Sequence, residues 1–385
     1  MSEYLPGLAG VPATKSNISD IDGEKGILSY RGYPIEELAE HSTFEETTLL
    51  LLDGRLPTRS ELQTFSDQLK DNRRIKFHTR GMMKNFPNTG HPMEMLQTVV
   101  ASLGMFYPGN DCLTGGDACE DVNYIHNMSI KIIARMAPIV AMWQHIREGY
   151  DPVESRDDLS HAENFLWMLT GREPEPLLAR IMDVCLILHA EHTINASTFA
   201  VLVNASTLSS PYSVVASAIG ALSGPLHGGA NQRVLEMLED IGSPENAEEY
   251  VDKRLANKEV IWGMGHREYK TKDPRAIILQ KLIDQYMETK AGNVSPLFDI
   301  AKAVEQVCED RLAHKGVYAN VDFYSGILYS EMGIPADQFT AIFAMARSAG
   351  WLTHWREQLA DNRIFRPTQV YTGEPVRKYV PINKR

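Results

Sequence analysis

The stretch Ser223–Leu238, SGPLHGGANQRVLEML, sets a histidine between a proline and two glycines immediately before an amphipathic run. A helix entry needs the glycines but has no use for the imidazole. If the helix begins near Ala230, His227 lies close to its positive end, which disfavours imidazolium. A neutral ring there offers one N–H to a carbonyl oxygen, and Gly228 and Gly229 let a substrate come near the backbone. Read alone, the segment also fits a plain helix-entry loop.

Five more segments carry reactive residue types. In LHAEHTINAS, His189, His192 and Asn195 recur every three residues, a spacing that predicts one helix face. Two histidines beside Glu191 suggest a metal, but the i, i+4 histidine pattern of zinc proteases is absent, and His189 fits a hydrogen-bonded core histidine equally well. In VIWGMGHREYKTKDPRA, Gly263 and Gly265 lead to His266. Between Lys253 and Arg275 seven basic residues face three acidic ones, a local excess on a chain whose net charge is −12. Such a run is either a solvated face or a pocket for phosphates and carboxylates. It is neither a dinucleotide fingerprint nor a P-loop. Asp322, in YANVDFYSG, has apolar and aromatic neighbours that would raise its proton affinity, as a general base needs; a helix cap or a paired aspartate fits as well. Arg347 interrupts the apolar FAMARSAGW, and a buried arginine calls for an anion. Arg366, in DNRIFRPTQVY, is less telling on its own.

These residues must be positioned by a mainly helical chain. Apolar residues recur at Leu177, Ile181, Val184 and Leu188, and again at Ile300, Val304, Val307 and Leu312 with Gly316 as the stop. A third helix follows Pro274 and closes on Gly292. Only the first forty residues read as β, with Asp22-Gly23 as a hairpin turn. Turn clusters such as YPGND, GREPEP and IGSPEN separate the helices. Glycines near 220–230 and 316–326 are the hinge candidates. Of 385 residues, 43% are hydrophobic and 23% charged, values that exclude disorder, while the acidic balance argues against nucleic-acid and anionic-membrane binding. Cys112, Cys119, Cys185 and Cys308 show no metal-like spacing and read as reduced structural thiols. No signal peptide or membrane span is recognisable, so a soluble cytoplasmic protein is expected.

Taken together, the motifs LHAEHTINAS, PLHGGANQ, GMGHREYKTKDPR, NVDFYSG and ADNRIFRP resemble those of the citrate synthase family in order and spacing, and the likeness runs over almost the whole chain. By its length the resemblance implies the shorter form, which is expected to lack the N-terminal extension of the longer bacterial type that NADH inhibits. The resemblance implies an all-α, two-domain fold with a small N-terminal β hairpin, a large domain of residues 1–225 and 326–385, and a small domain of 226–325. It implies condensation of acetyl-CoA with oxaloacetate and water to citrate and CoA, in a homodimer able to assemble further and without cofactor or metal. By the same likeness, Asp322 removes a methyl proton, His227 donates to the thioester carbonyl, and His266 polarises the ketone. Oxaloacetate would be held by His192, Arg275, Arg347 and Arg366, the last reaching in from the partner subunit. His189 is then a supporting residue at most. Lys258, Arg267, Lys270 and Lys315 are the candidates for the CoA phosphates; some relatives carry arginine where Lys270 stands.

Three other readings remain open on the sequence. 2-Methylcitrate synthase shares every motif and differs by one methylene in the acyl group, worth only about 1–3 kcal/mol in a pocket. A non-catalytic CoA or dicarboxylate binder would not need Asp322, His227 and His266 together. A helical metal hydrolase using His189, His192 and Glu191 would be sensitive to chelators.

Overall fold

The structure, a computed structural model, describes residues 4–8, 10–106, 121–290 and 295–385. Cys112, Cys119, the YPGND turn and Gly292 lie outside them. Near the N-terminus, β1 (Ser19–Asp22), β2 (Ile27–Tyr30) and β3 (Tyr33–Pro34) form an antiparallel sheet in the order β1-β2-β3, with Asp22 opposite Ile27. The expected hairpin is thus extended by a third short strand. Its turn spans 23–26, and the left-handed residue is Gly26 (φ 67°), not Gly23.

Sixteen α-helices follow among the described residues. They are α1 (Ile35–His41), α2 (Phe44–Asp53), α3 (Arg59–Asn72), α4 (Phe77–Lys84), α5 (Pro92–Phe106), α6 (Val122–Arg147), α7 (His161–Thr170) and α8 (Pro176–Ala190). Then come α9 (Ala196–Ala205), α10 (Pro211–Leu222), α11 (Ala230–Ile241), α12 (Ala247–Ala256), α13 (Pro274–Thr289), α14 (Leu297–Leu312), α15 (Val321–Glu331) and α16 (Phe339–Ala360). The all-α class is as expected.

Helices α5, α6, α8, α9 and α10 pack around α16, which is buried along most of its length and carries Trp351 and Trp355 into the core. Truncating either tryptophan would cost about 3–5 kcal/mol. Helices α11 to α15 pack mainly on one another and meet the first group where α13 and α15 touch α8 and where α11 touches α16. The periodic residues Ile181, Val184, Leu188, Ile300, Val304 and Leu312 are all buried. After α14 a 3-10 turn, Ala313–Lys315, ends on Gly316 at φ 68°. Cys185 and Cys308 are buried free thiols. Among the described residues no helix is long and apolar enough to cross a membrane.

The helix starts matter most for function. Asn195 caps α9, Asp273 caps α13 and Asn320 caps α15, each accepting a first-turn N–H on its side chain. Ser197, Arg275 and Asp322 thereby sit in the first turns of three helices, and His227 directly precedes a fourth, α11.

Candidate active site

The expected continuous helix through LHAEHTINAS is broken. α8 stops at Ala190, Glu191 is extended, Thr193 is left-handed (φ 51°), and Asn195 opens α9. His189 and His192 therefore do not share a helix face. His189 is a core residue whose Nδ1–H donates to the Cys185 carbonyl, and burial lowers its pKa to about 3. His192, at the break, is also buried, and its Nε2 lies 3.0 Å from Tyr269 Oη. Burial, reinforced by Arg275 and His266, holds it well below the usual imidazole range.

Behind the break lies a buried network that the sequence did not announce. Glu191 and His354 are fully buried, with Oε1 and Nε2 3.0 Å apart. Ser19 Oγ donates to the same Glu191 oxygen, and Tyr30 Oη donates to the Glu191 carbonyl. Burial works against the Glu191 charge, but His354 and Arg347 outweigh it and keep its pKa low. Gly350 makes the room: a Cβ there would stand 2.2 Å from Glu191 Oε2 and 2.4 Å from the Ala190 carbonyl.

His227 lies in the turn between α10 and α11. Gly228 is required beside it, because a Cβ would meet the Leu222 carbonyl at 2.6 Å. The His227 Nε2 accepts the backbone N–H of Ser197 at 3.2 Å and stands 2.9 Å from Ser197 Oγ. Ser197 Oγ in turn accepts the indole N–H of Trp351 at 3.2 Å. With Nε2 accepting, the ring proton resides on Nδ1. The helix that orients the imidazole is thus α9, through its first turn, rather than the expected α11. Burial first, then Arg347 and Arg267, lowers its pKa to about 4, so it is neutral at physiological pH.

His266 is held in the opposite sense. Its Nδ1 accepts the backbone N–H of Glu268 at 3.1 Å, which leaves the proton on Nε2. Burial, with Arg275 next, lowers its pKa to about 4. The loop carrying it is bound to the start of α15: Gly265 N–H donates to the Tyr318 carbonyl, Asn320 N–H to the Gly263 carbonyl, and Asn320 Nδ2 to the Gly265 carbonyl. Gly263 (φ 77°) also lies against Val234 and Phe323, where a Cβ would come within 3.0 Å.

Asp322 follows that anchor by two residues. Its Oδ1 is buried without a hydrogen-bond partner among the described residues, and burial raises its pKa to about 6, against the pull of Arg275. It is still ionised near neutrality and strongly basic for a carboxylate, as expected for a proton acceptor.

Two buried arginines flank these groups. Arg275 is clamped by Asp273, its Nε donating to Oδ1 at 3.0 Å and its Nη2 to Oδ2 at 2.8 Å. Asp273 also accepts the Val321 N–H, joining α13 to α15. One Nη of Arg275 is left over. Arg347 donates Nε to the His189 carbonyl at 2.7 Å and has no carboxylate partner among the described residues. Burial lowers its pKa to about 10, with Glu191 opposing, so it stays charged. Arg275 or Arg347 shifts every titratable group of the site: His192, His227, His266 and Asp322. The arrangement offers two N–H donors, one carboxylate base and two guanidinium faces to one anionic ligand set.

The remaining candidates lie at the surface. Arg366 is exposed in the C-terminal tail, its Nη1 on the Pro367 carbonyl, away from this chain's own cluster. Arg267, Lys270 and Lys315 are exposed; Lys270 and Lys315 adjoin where Gly316 passes within 3.2 Å of the Lys270 carbonyl, measured to a Cβ at 316. Lys258 is exposed and left-handed (φ 59°) just past α12. Among the described residues no group of three or more His, Cys, Asp or Glu could hold a metal ion.

Sequence reasoning missed Ser197, Asp273, Asn320 and His354, and weighed Glu191 only as a metal ligand, not as the partner of His354. Asp273 and Asn320 had a signal, since Asp-Pro and Asn-Val-Asp are helix-start patterns. The pairing of Glu191 with His354 had none, because it spans 163 residues.

Residues 7–368 match the family model described as citrate synthase, C-terminal domain. The chain is 59% identical to the citrate synthase of Acidithiobacillus ferridurans over 99% of this chain and 98% of the relative, and 54% identical to that of Synechocystis over 99% and 94%. Among solved structures it is similar to citrate synthase from Pyrobaculum aerophilum, with a TM-score of 0.91, 44% identity, and coverage of 98% and 95%. It is also similar to the citrate synthase of Thermoplasma acidophilum, solved as a ternary complex with carboxymethyl coenzyme A and oxaloacetate, with a TM-score of 0.91 and 32% identity over the full length of both chains.

Proposed function

The chain belongs to the citrate synthase family, and we propose how its residues carry out that family's reaction, the condensation of acetyl-CoA with oxaloacetate and water to citrate and CoA. The observation that carries the reading is the pair of imidazoles locked in opposite tautomers by backbone N–H groups, beside a carboxylate oxygen with no partner.

Asp322 removes a proton from the acetyl-CoA methyl group. The negative charge moves to the thioester oxygen, where the Nδ1–H of His227 is the donor. A neutral donor suits this task, since it stabilises the enolate without first losing its own proton. The enolate carbon then attacks the ketone carbon of oxaloacetate, and the Nε2–H of His266 donates to the ketone oxygen as it becomes an alkoxide. Water hydrolyses the resulting citryl thioester and releases CoA. Preorganised donors of this kind contribute roughly 3–4 kcal/mol each in comparable sites.

Oxaloacetate carries two carboxylates, which the free faces of Arg275 and Arg347 suit, with His192 as a further donor. The Asp273 clamp keeps Arg275 in one orientation before the substrate arrives, and the buried Glu191 keeps Arg347 charged without occupying it. Arg366 completes the oxaloacetate site of a partner subunit in a homodimer, a role its exposure allows. Lys258, Arg267, Lys270 and Lys315 serve the CoA phosphates. Residues 226–325 move against the rest as the site closes. A neighbouring structure described as a ternary complex of carboxymethyl coenzyme A and oxaloacetate with citrate synthase supports the assignment of both substrates.

Thiol release measured with acetyl-CoA and propionyl-CoA tests the reading. Turnover with acetyl-CoA that requires oxaloacetate is expected; a clear preference for propionyl-CoA, or no thiol release, would overturn it.

A further inference from the structure

The N-terminal hairpin touches both sides of the site. On one side Ser19 of β1 accepts the Thr193 N–H at 3.1 Å and donates to Glu191, while Tyr30 of β2 holds the Glu191 carbonyl. These bonds fix the break that carries His192. On the other side the turn lies against residues 268–272. The Lys270 N–H donates to the Gly23 carbonyl at 2.9 Å. A Cβ at Gly23 would stand 2.0 Å from the Glu268 carbonyl oxygen and 2.8 Å from its carbon. These neighbours are backbone, so nothing flexible can yield.

The same Glu268 peptide unit neighbours the one whose N–H holds His266 Nδ1. Tyr269, the next residue, meets His192. Gly23 is not in the left-handed region, so its lack of a side chain serves space and not conformation. We propose that Gly23 is a positioning residue for His266: by admitting the Glu268 backbone against the hairpin turn, it fixes the loop that sets the tautomer of the ring. The inference rests on the assignment of His266 as the donor to the ketone. It gives the sheet a task in catalysis beyond covering the core.

The test compares Gly23→Ala with Lys25→Ala, an exposed position in the same turn, in the full-length protein. Gly23→Ala should lower kcat at saturating substrates at least tenfold, and 15N spectra of the His266 ring should lose the Nε2–H tautomer seen in the wild type. Lys25→Ala should change neither. Should Gly23→Ala fail to fold, Gly26→Ala carries the test: its Cβ would meet a Thr271 methyl at 2.7 Å and the Lys272 carbonyl at 3.3 Å, and its left-handed φ of 67° strains the same turn, so the turn is pushed against residues 271–272; a few-fold loss of kcat with a mixed tautomer is expected. Wild-type kcat in the variant that folds, or a loss of kcat with an unaltered His266 tautomer, would overturn the proposal. His266→Ala tests the underlying role separately: full turnover there would remove His266 from the chemistry, whatever Gly23 does to the ring.

Discussion

Two buried polar clusters in this molecule resemble each other in their charges and differ in what they can do. The first is the site around Asp322. The second joins α1, α2, α7 and α8 and contains Glu45, His161, Arg180 and Asp183. Burial, aided by Glu45, raises Asp183 to about 7, and burial lowers His161 to about 3. These departures are as large as those of Asp322 and His266, so perturbed titration alone does not single out the site.

The difference lies in where the bonds end. Asp183 accepts the Phe44 N–H at the start of α2, and Glu45 accepts the His161 N–H at the start of α7. Arg180 closes the end of α1 through the Ala39 and Glu40 carbonyls and pairs with Asp183 at 2.9 Å. Those charges are spent on helix termini. In the proposed site, backbone groups orient the rings from behind and leave His227 Nδ1, His266 Nε2 and Asp322 Oδ1 without a hydrogen-bond partner among the described residues.

The largest expected contrast is between Asp322→Asn and Asp183→Asn. The first should lower kcat by about 10³-fold or more, in the upper range for a lost general base, and the second should leave kcat within about twofold. Equal losses in steady-state assays would erase the distinction. Next, Arg347→Gln should weaken oxaloacetate binding about 100-fold by calorimetry, because a buried charge pair with the ligand is lost; unaltered affinity would take Arg347 out of the site.

The pH dependence separates the clusters further. As the proposed base Asp322 has to be ionised to act, so kcat/KM for acetyl-CoA should rise with unit slope up to about pH 6 and level above it. The two imidazoles, at about 4, stay neutral over that range. Asp183 has a folded pKa above its unfolded value, so the folded state keeps its proton longer. Its contribution to stability is present at low pH, declines as pH rises from about 4 towards 7, and is constant beyond. The melting temperature of the wild type relative to Asp183→Asn should follow that course by a few degrees, with activity unaffected. The smallest effect is predicted for Ser197→Ala, which removes a hydroxyl near His227 but keeps the backbone N–H. A loss in kcat of about fivefold or less is expected; a far larger one would move the orienting role to the hydroxyl.

How much of this was legible in the sequence follows from the range of each interaction. The apolar periods of α8 and α14 and the stop at Gly316 are local, and they were readable. The residue types around His227, His266 and Asp322 were readable too, because glycines and apolar neighbours adjoin them in the chain. The break after His189 was not, since the three-residue spacing runs on through His192 to Asn195 and imitates a helix; only the capping ability of Asn195 argues otherwise. Contacts between distant segments left no periodic trace. Gly23 looked like a turn residue, yet its space is set by Glu268, and Glu191 depends on Gly350 and His354 across the chain.

The central claim is that Asp322 takes a methyl proton while the ligand set holds the developing enolate. Exchange of the acetyl-CoA methyl protons in deuterated water, with a dicarboxylate present that lacks the ketone and cannot condense, reads that step without the rest of the reaction. Wild-type enzyme should exchange the protons, and Asp322→Asn should do so at least about 10³-fold more slowly. Exchange at the wild-type rate in Asp322→Asn would contradict the account.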